Sequence, residues 1–246
     1  MKRILSLLRK CIEDYLLIED GDVVAVGLSG GKDSLLLLTA LNEYKRFSPN
    51  KFSLIAININ MSLKSSPSDA TAPLKEYCDR IGVPYYEEKT DIGEILFEIR
   101  KEKNPCSLCA KMRRGALCEK CRELGANKLA LGHHADDVLE TMLLSFLYEG
   151  RISSFAPKSY MDRTGITVIR PMIYIEECDV TGAVNRLGLK PVKNPCPMNH
   201  ESQREYMKNL VKQLNREVPD SKVRMLSAIM HPERNGLDCY RKPTKS

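Results

Sequence analysis

No apolar run in this sequence approaches the ~20 residues that a helix needs to cross a bilayer, so no membrane partner is expected. No secretory leader is expected either. Arg9, Lys10, Glu13 and Asp14 interrupt the apolar core that such a segment would need behind Lys2 and Arg3. Low-complexity tracts and internal repeats are absent, which sets aside disordered and fibrous chains. Nine cysteines, an odd number in a chain longer than the usual disulfide scaffold, point to reduced thiols, some of them ligands. Together these absences favour a cytoplasmic protein.

What is present suffices for one core with modest appendages: 246 residues, 43% hydrophobic and 28% charged. The net charge of +6 is compatible with a polyanionic partner, and equally with mere solubility. Residues 22–28 and 52–59 are nearly continuous apolar runs, the pattern of parallel strands buried on both faces. Shorter strands are expected at 84–87, 128–132 and 167–170. Helical patterning separates them, at 34–44, 72–81, 110–124, 136–147 and 176–187. This alternation predicts a doubly wound α/β fold with a mostly parallel five-stranded sheet. An amphipathic helix is expected over 1–20, the α/β domain over 21–190 with a cysteine-containing insertion near 104–121, and a helical, basic segment over 191–246. Punctuation by Ser, Pro, Lys and Asn marks 61–69 and 101–109 as long surface loops.

Between the first strand and its helix lies Ser29-Gly30-Gly31-Lys32-Asp33-Ser34. Small residues let backbone N–H groups turn toward an anion, the helix adds its positive end, and Lys32 adds a mobile charge. Two better-known phosphate loops do not fit. A Walker A loop needs glycine where Val26 stands and a hydroxyl where Asp33 stands, and the Gly-x-Gly-x-x-Gly fingerprint is absent. A second element, Leu131-Gly132-His133-His134-Ala135-Asp136-Asp137, closes another strand and opens another helix. Beside a triphosphate, Asp33, Asp136 and Asp137 are suited to Mg2+, which prefers carboxylate and phosphate oxygens. Asp136 is equally suited to capping its helix, and His133 and His134 to structural roles.

These two elements, in this order, resemble the PP-loop ATP pyrophosphatase superfamily, whose members split ATP to AMP and pyrophosphate while adenylylating a substrate. The resemblance covers about two thirds of the chain. It implies an ATP site built from Ser29, Gly30, Gly31, Lys32, Asp33, Ser34, Asn58 and Gly132, with Lys32, Asp33, Asp137 and Arg113 as catalytic groups.

Cys106-Ser107-Leu108-Cys109 is a Cys-x-x-Cys placed in a loop opening a helix, with Lys111, Arg113 and Arg114 behind it to favour thiolates. Cys118 and Cys121 repeat the spacing inside the helix, which keeps a four-thiolate zinc site open. Cys11 and Cys78 fall in apolar helical patterns and read as core. The stretch 106–117, followed by 125–134, is similar to the tRNA 2-thiocytidine synthetase branch of the superfamily. That likeness implies a 4Fe-4S cluster on Cys106, Cys109 and Cys196, with Cys178 and Cys239 as the alternative third ligands. It also implies tRNA as partner and a sulfur donor, either sulfide or cysteine desulfurase-derived; a homodimer is compatible with it. The implied chemistry is adenylylation of a pyrimidine C2 oxygen, most readily a cytidine in the anticodon loop, followed by displacement of AMP by sulfur. Two alternatives stay open: a PP-loop ligase using an amine nucleophile, and a zinc-stabilised RNA-binding module without catalysis.

Overall fold

The computed structural model describes residues 1–63, 71–100, 105–192, 196 and 203–236. They form two compact units, one of residues 1–135 and 156–201, the other of 136–155 and 202–246.

The first unit is a six-stranded sheet with strand order β3-β2-β1-β4-β6-β5. Its strands are β1 (Val23–Gly27), β2 (Ser53–Asn60), β3 (Tyr85–Lys89), β4 (Lys128–Ala130), β5 (Lys158–Met161) and β6 (Ile166–Ile169). Five of them run parallel, and β5 alone is antiparallel, against β6. The doubly wound, mostly parallel fold is as expected, but the strand count is six rather than five. β5 escaped the pattern because it is an edge strand whose side chains alternate between exposed and half-buried, so it lacks an apolar run.

Burial explains the strands that were legible. Val24, Ala25 and Val26 are fully buried at the sheet centre. Helix α1 (Lys2–Asp14) buries Ile4, Leu8, Cys11 and Ile12 and packs on α2 (Lys32–Tyr44) and α7 (Glu177–Arg186). In α2, Leu35, Leu36, Leu37 and Leu38 are all buried, as expected of a helix enclosed on most sides. Helix α3 (Ala72–Arg80) buries Leu74 and Cys78, so Cys11 and Cys78 are core residues.

The other face of the sheet carries α5 (Cys106–Glu123), an unbroken 18-residue helix. Its Leu117, Cys118 and Cys121 pack among Ala25, Ile55, Ile57, Leu129 and Val168. Cys106 and Cys109 therefore occupy its first turn rather than a loop, a correction to the expected loop over 101–109. Pro105 stands immediately before the helix, where its missing N–H removes no helical bond. The short helix α4 (Ile92–Glu94) and a π-helix over Ile95–Ile99 were not anticipated. Residues 64–69 of the expected loop over 61–69 lie outside the described residues.

The second unit holds α6 (Ala135–Glu149, from Asp136 onward), α8 (Gln203–Glu217) and α9 (Ser221–Met230). The expected helical tail is thus present, interrupted near Pro219. No helix among the described residues is long and apolar enough to cross a membrane.

Candidate active site

In a doubly wound sheet, ligands bind outside the carboxyl ends of the strands where the strand order reverses. Here the reversal lies between β1 and β4, which pair in parallel. The Ser29–Ser34 loop leaves the end of β1, and Leu131-Gly132-His133-His134 leaves the end of β4. Two segments about a hundred residues apart in sequence are thereby brought to one crevice.

The loop is held by its own side chains. Ser29 Oγ lies 3.1 Å from Ser34 Oγ, Ser34 Oγ donates to Gly31 O at 3.0 Å, and Gly31 N donates to Ser29 Oγ at 3.4 Å. Gly30 sits at φ +83°, a conformation that an L side chain rarely adopts, and its carbonyl accepts from Val192 N at 2.9 Å. Lys32 Nζ donates to Asp33 Oδ1 at 2.7 Å and lies 3.2 Å from Glu177 Oε1. Burial pulls the Lys32 ammonium down, but its bonds and charge contacts with Asp33 and Glu177 outweigh that and raise it overall. Lys32 is therefore a fixed cation, poised for an anion.

Gly132 abuts the same helix start. A Cβ on it would lie 3.0 Å from Asp33 C and 3.1 Å from both Asp33 O and Ser34 N. Only glycine lets β4 end so close to the first turn of α2. The buried His134 places Nε2 3.7 Å from Asp33 Oδ1. Asn58, buried on β2, donates from Nδ2 to Leu28 O at 2.6 Å, and its buried Oδ1 has no hydrogen-bond partner among the described residues. An orphaned acceptor beside the β1 end fits an approaching donor.

Cys106 is exposed, while Cys109 and Cys196 are half-buried. Cys109 Sγ lies 3.6 Å from Met61 Sδ. Burial pushes the Cys109 thiol up; Arg113 opposes this, while the neighbouring Cys196 and Cys106 push the same way as burial. The net effect is upward, contrary to the thiolate-favouring role expected of the nearby cations. Cys106 and Cys196 both act electrostatically on Cys109, although 87 residues separate Cys109 from Cys196. Cys118 and Cys121 are elsewhere. Twelve residues of helical rise set each about 18 Å beyond its counterpart in the first pair, in the apolar core. A four-thiolate zinc site from these two pairs is therefore incompatible with α5. Among the described residues no three His, Cys, Asp or Glu side chains close on a point as a single metal ion requires.

The PP-loop domain family matches residues 2–215 of this chain. A tRNA-cytidine(32) 2-sulfurtransferase of Syntrophotalea carbinolica is 40% identical over 93% of this chain and 88% of its own. One of Pelobacter propionicus is 36% identical over 94% and 87%. This chain belongs to the PP-loop family of tRNA-cytidine 2-sulfurtransferases. Among solved structures, the U34-tRNA thiolase NcsA from Methanococcus maripaludis, which contains a 4Fe-4S cluster, matches with a TM-score of 0.78 at 30% identity. The match covers 95% of this chain and 78% of that one.

The other described residues singled out in this PP-loop protein lie on α5, α6 and α7. In the second unit, Asp136 Oδ1 is 2.7 Å from Lys222 Nζ, and Asp137 Oδ1 is 3.7 Å from Arg204 Nη1. Both carboxylates thus already face cations of the tail. Arg113, half-buried on α5, has its buried Nε without a hydrogen-bond partner among the described residues. Cys178 is exposed on α7, and Cys239 lies outside the described residues. Glu177, which clamps Lys32, was missed by sequence reasoning. Its only local signal is an acid in the first turn of a helix, which helix-dipole chemistry explains without any ligand.

Proposed function

We propose that this protein is an ATP-dependent tRNA 2-thiolase that adenylylates the C2 oxygen of a cytidine, position 32 by the naming of its relatives, and replaces that oxygen with sulfur. The observation that supports this reading over amine transfer, which needs no thiol, is the pair Cys106 and Cys109 in the first turn of α5 with Cys196 near enough to act on Cys109.

The loop amides and Lys32 hold the triphosphate, with the Ser29 and Ser34 hydroxyls fixing the loop and Asn58 Oδ1 accepting from the nucleotide. Asp33, Asp136 and Asp137 are the carboxylates that would hold a Mg2+, whose charge would offset that of the leaving pyrophosphate. The pyrimidine C2 oxygen attacks the α-phosphorus and pyrophosphate departs, which turns a poor leaving group into AMP. Sulfur then attacks C2, the C2–O bond breaks, and AMP leaves with that oxygen. Arg113, with an unsatisfied donor at Nε, is placed to meet negative charge near the thiols.

The three thiols suit a 4Fe-4S cluster better than a single ion, since a cluster spreads its ligands more widely and takes cysteine sulfur. When bound there, it supplies an iron without a protein ligand and a soft site for sulfide. Cys106, the exposed thiol, marks the solvent side from which a sulfur donor approaches. The domain boundaries read from sequence, a cytoplasmic location and a homodimer complete the proposal.

The test is anaerobic. Brown, iron-containing protein incubated with tRNA, ATP and sulfide should release AMP and pyrophosphate and yield 2-thiocytidine by nucleoside mass spectrometry. Cys106→Ala and Cys196→Ala should bind ATP normally and yield none. Colourless, iron-free protein that still consumes ATP and joins an amine to RNA would replace this reading with the ligase one.

A further inference from the structure

A groove of about 440 Å3 between α5 and the β5–β6 hairpin takes no part in the chemistry above. Its size is that of ordinary ligand sites. Lys111, Arg114 and Gly115 line one wall, and Tyr160, Arg163 and Thr164 the other. The charge is one-sided, with Asp162 as the acid among the lining residues. No carboxylate pairs with Lys111 or Arg114 among the described residues. Arg163 reaches Glu119 only at 3.9 Å, with 82% of its side chain exposed. Burial, and then the nearby Arg114, hold the Arg170 guanidinium down at about 10. Lys111, Arg114 and Arg163 thus gather positive charge at the groove, and an anion bound there would offset it.

Gly115 is an independent sign. It lies in the middle of α5, where glycine weakens a helix. An added Cβ there would meet nothing nearer than Arg163 Nη2 at 4.0 Å. The fold itself does not require the missing side chain, and its absence leaves the space over the groove open. Tyr160, 62% exposed, offers its ring on the opposite wall.

We propose that this groove is an RNA-binding site: Lys111, Arg114 and Arg163 take the phosphodiester backbone flanking the modified nucleotide, and Tyr160 stacks a base. The proposal rests on the reading of tRNA as substrate. Arginine forks match phosphate geometry, and aromatic rings stack bases of any sequence. Arg114 lies eight residues along α5 from Cys106, about 12 Å of helical rise. A backbone anchored on the groove therefore stays within a few nucleotides of the thiols.

Fluorescence anisotropy of a labelled tRNA transcript, titrated with the full chain over a range of KCl, tests this. Arg114→Ala combined with Arg163→Ala should weaken binding about tenfold or more and flatten the salt dependence by roughly 1.4–1.8 in log–log slope, for two lost phosphate contacts. Gly115→Gln keeps every cation and fills the groove; it should weaken binding too. Tyr160→Ala should weaken it, and Tyr160→Phe should not. Unchanged ATP affinity and a melting temperature that does not fall in any variant show that the fold is intact. Wild-type tRNA affinity and salt slope in the double variant would overturn the groove and leave the proposed function standing. Absence of tRNA binding by the wild type would overturn both. Complete displacement of tRNA by millimolar inorganic phosphate would make the groove a small-anion site instead.

Discussion

Gly132→Ala is the smallest change that reaches both halves of the crevice. Its new Cβ would stand 3.0 Å from Asp33 C and 3.1 Å from Asp33 O and Ser34 N, well inside the ~3.5–4.0 Å of a favourable contact. All three atoms are backbone, so none can swing away as a side-chain tip would. Either the end of β4 or the first turn of α2 must retreat by several tenths of an ångström. Overpacking of this kind costs about 1–3 kcal/mol. If the strain stays in the fold, melting should fall by about 2–12 °C for a chain of this length. If it is relieved by moving Lys32 and Asp33 off the phosphate position, ATP affinity should fall by about 5–150-fold instead. Calorimetric ATP titration and thermal unfolding together capture both routes. Gly82→Ala, at φ +68° with nothing within 4 Å of the added atom, is the control that loses some stability and no ATP affinity. Wild-type melting together with wild-type ATP affinity in Gly132→Ala would show that the two segments do not meet as described.

Lys32→Ala should cut pyrophosphate release by about 10²–10³-fold, the usual loss when a pre-placed charge is removed from a developing anion; a loss below tenfold would reassign the phosphate contact. Asp22→Ala should destabilise by about 3–5 kcal/mol in a urea melt. It strips Glu19 N at 2.7 Å and Asn127 Nδ2 at 2.6 Å of their acceptor, and leaves the buried Lys128 without its 3.6 Å neighbour. A loss under 1 kcal/mol would mean that Glu19, 3.0 Å from Lys128, suffices alone. Glu140 is raised to about 7, first by burial and then by Asp137, against the opposing pull of Arg204 and Lys208. Its folded value lies above its ordinary one of 4.5. The proton is therefore bound more tightly in the folded state, and stability falls as pH rises from about 4.5 to 7, by at most about 3 kcal/mol. Glu140→Gln should flatten that slope in melts across this range; an unchanged slope would assign it to another group.

Sequence alone revealed what depends on near neighbours. The apolar runs of β1 and β2, the glycine loop and the Asp-containing start of α6 each announce themselves within about ten residues. β5 did not, because an edge strand needs only one partner and half a buried face. The Cys-x-x-Cys was assigned to a loop because Asn104 and Pro105 look like punctuation, whereas proline is equally at home where a helix begins. The salt bridge from Glu177 to Lys32 spans 145 residues and leaves no local trace. Cys196 was reached through family likeness; no spacing rule connects it to α5.

The continuity of α5 through Gly115 has a metrical consequence. A helix without a kink is a ruler: each residue inserted between Cys109 and Arg114 would add about 1.5 Å and turn the far side by about 100°. On the proposed chemistry, the thiols at one end and the groove cations further along share one fixed scale, marked in residues rather than held by contacts. Changing that scale would alter which nucleotide is presented, while every side chain that touches it stayed the same.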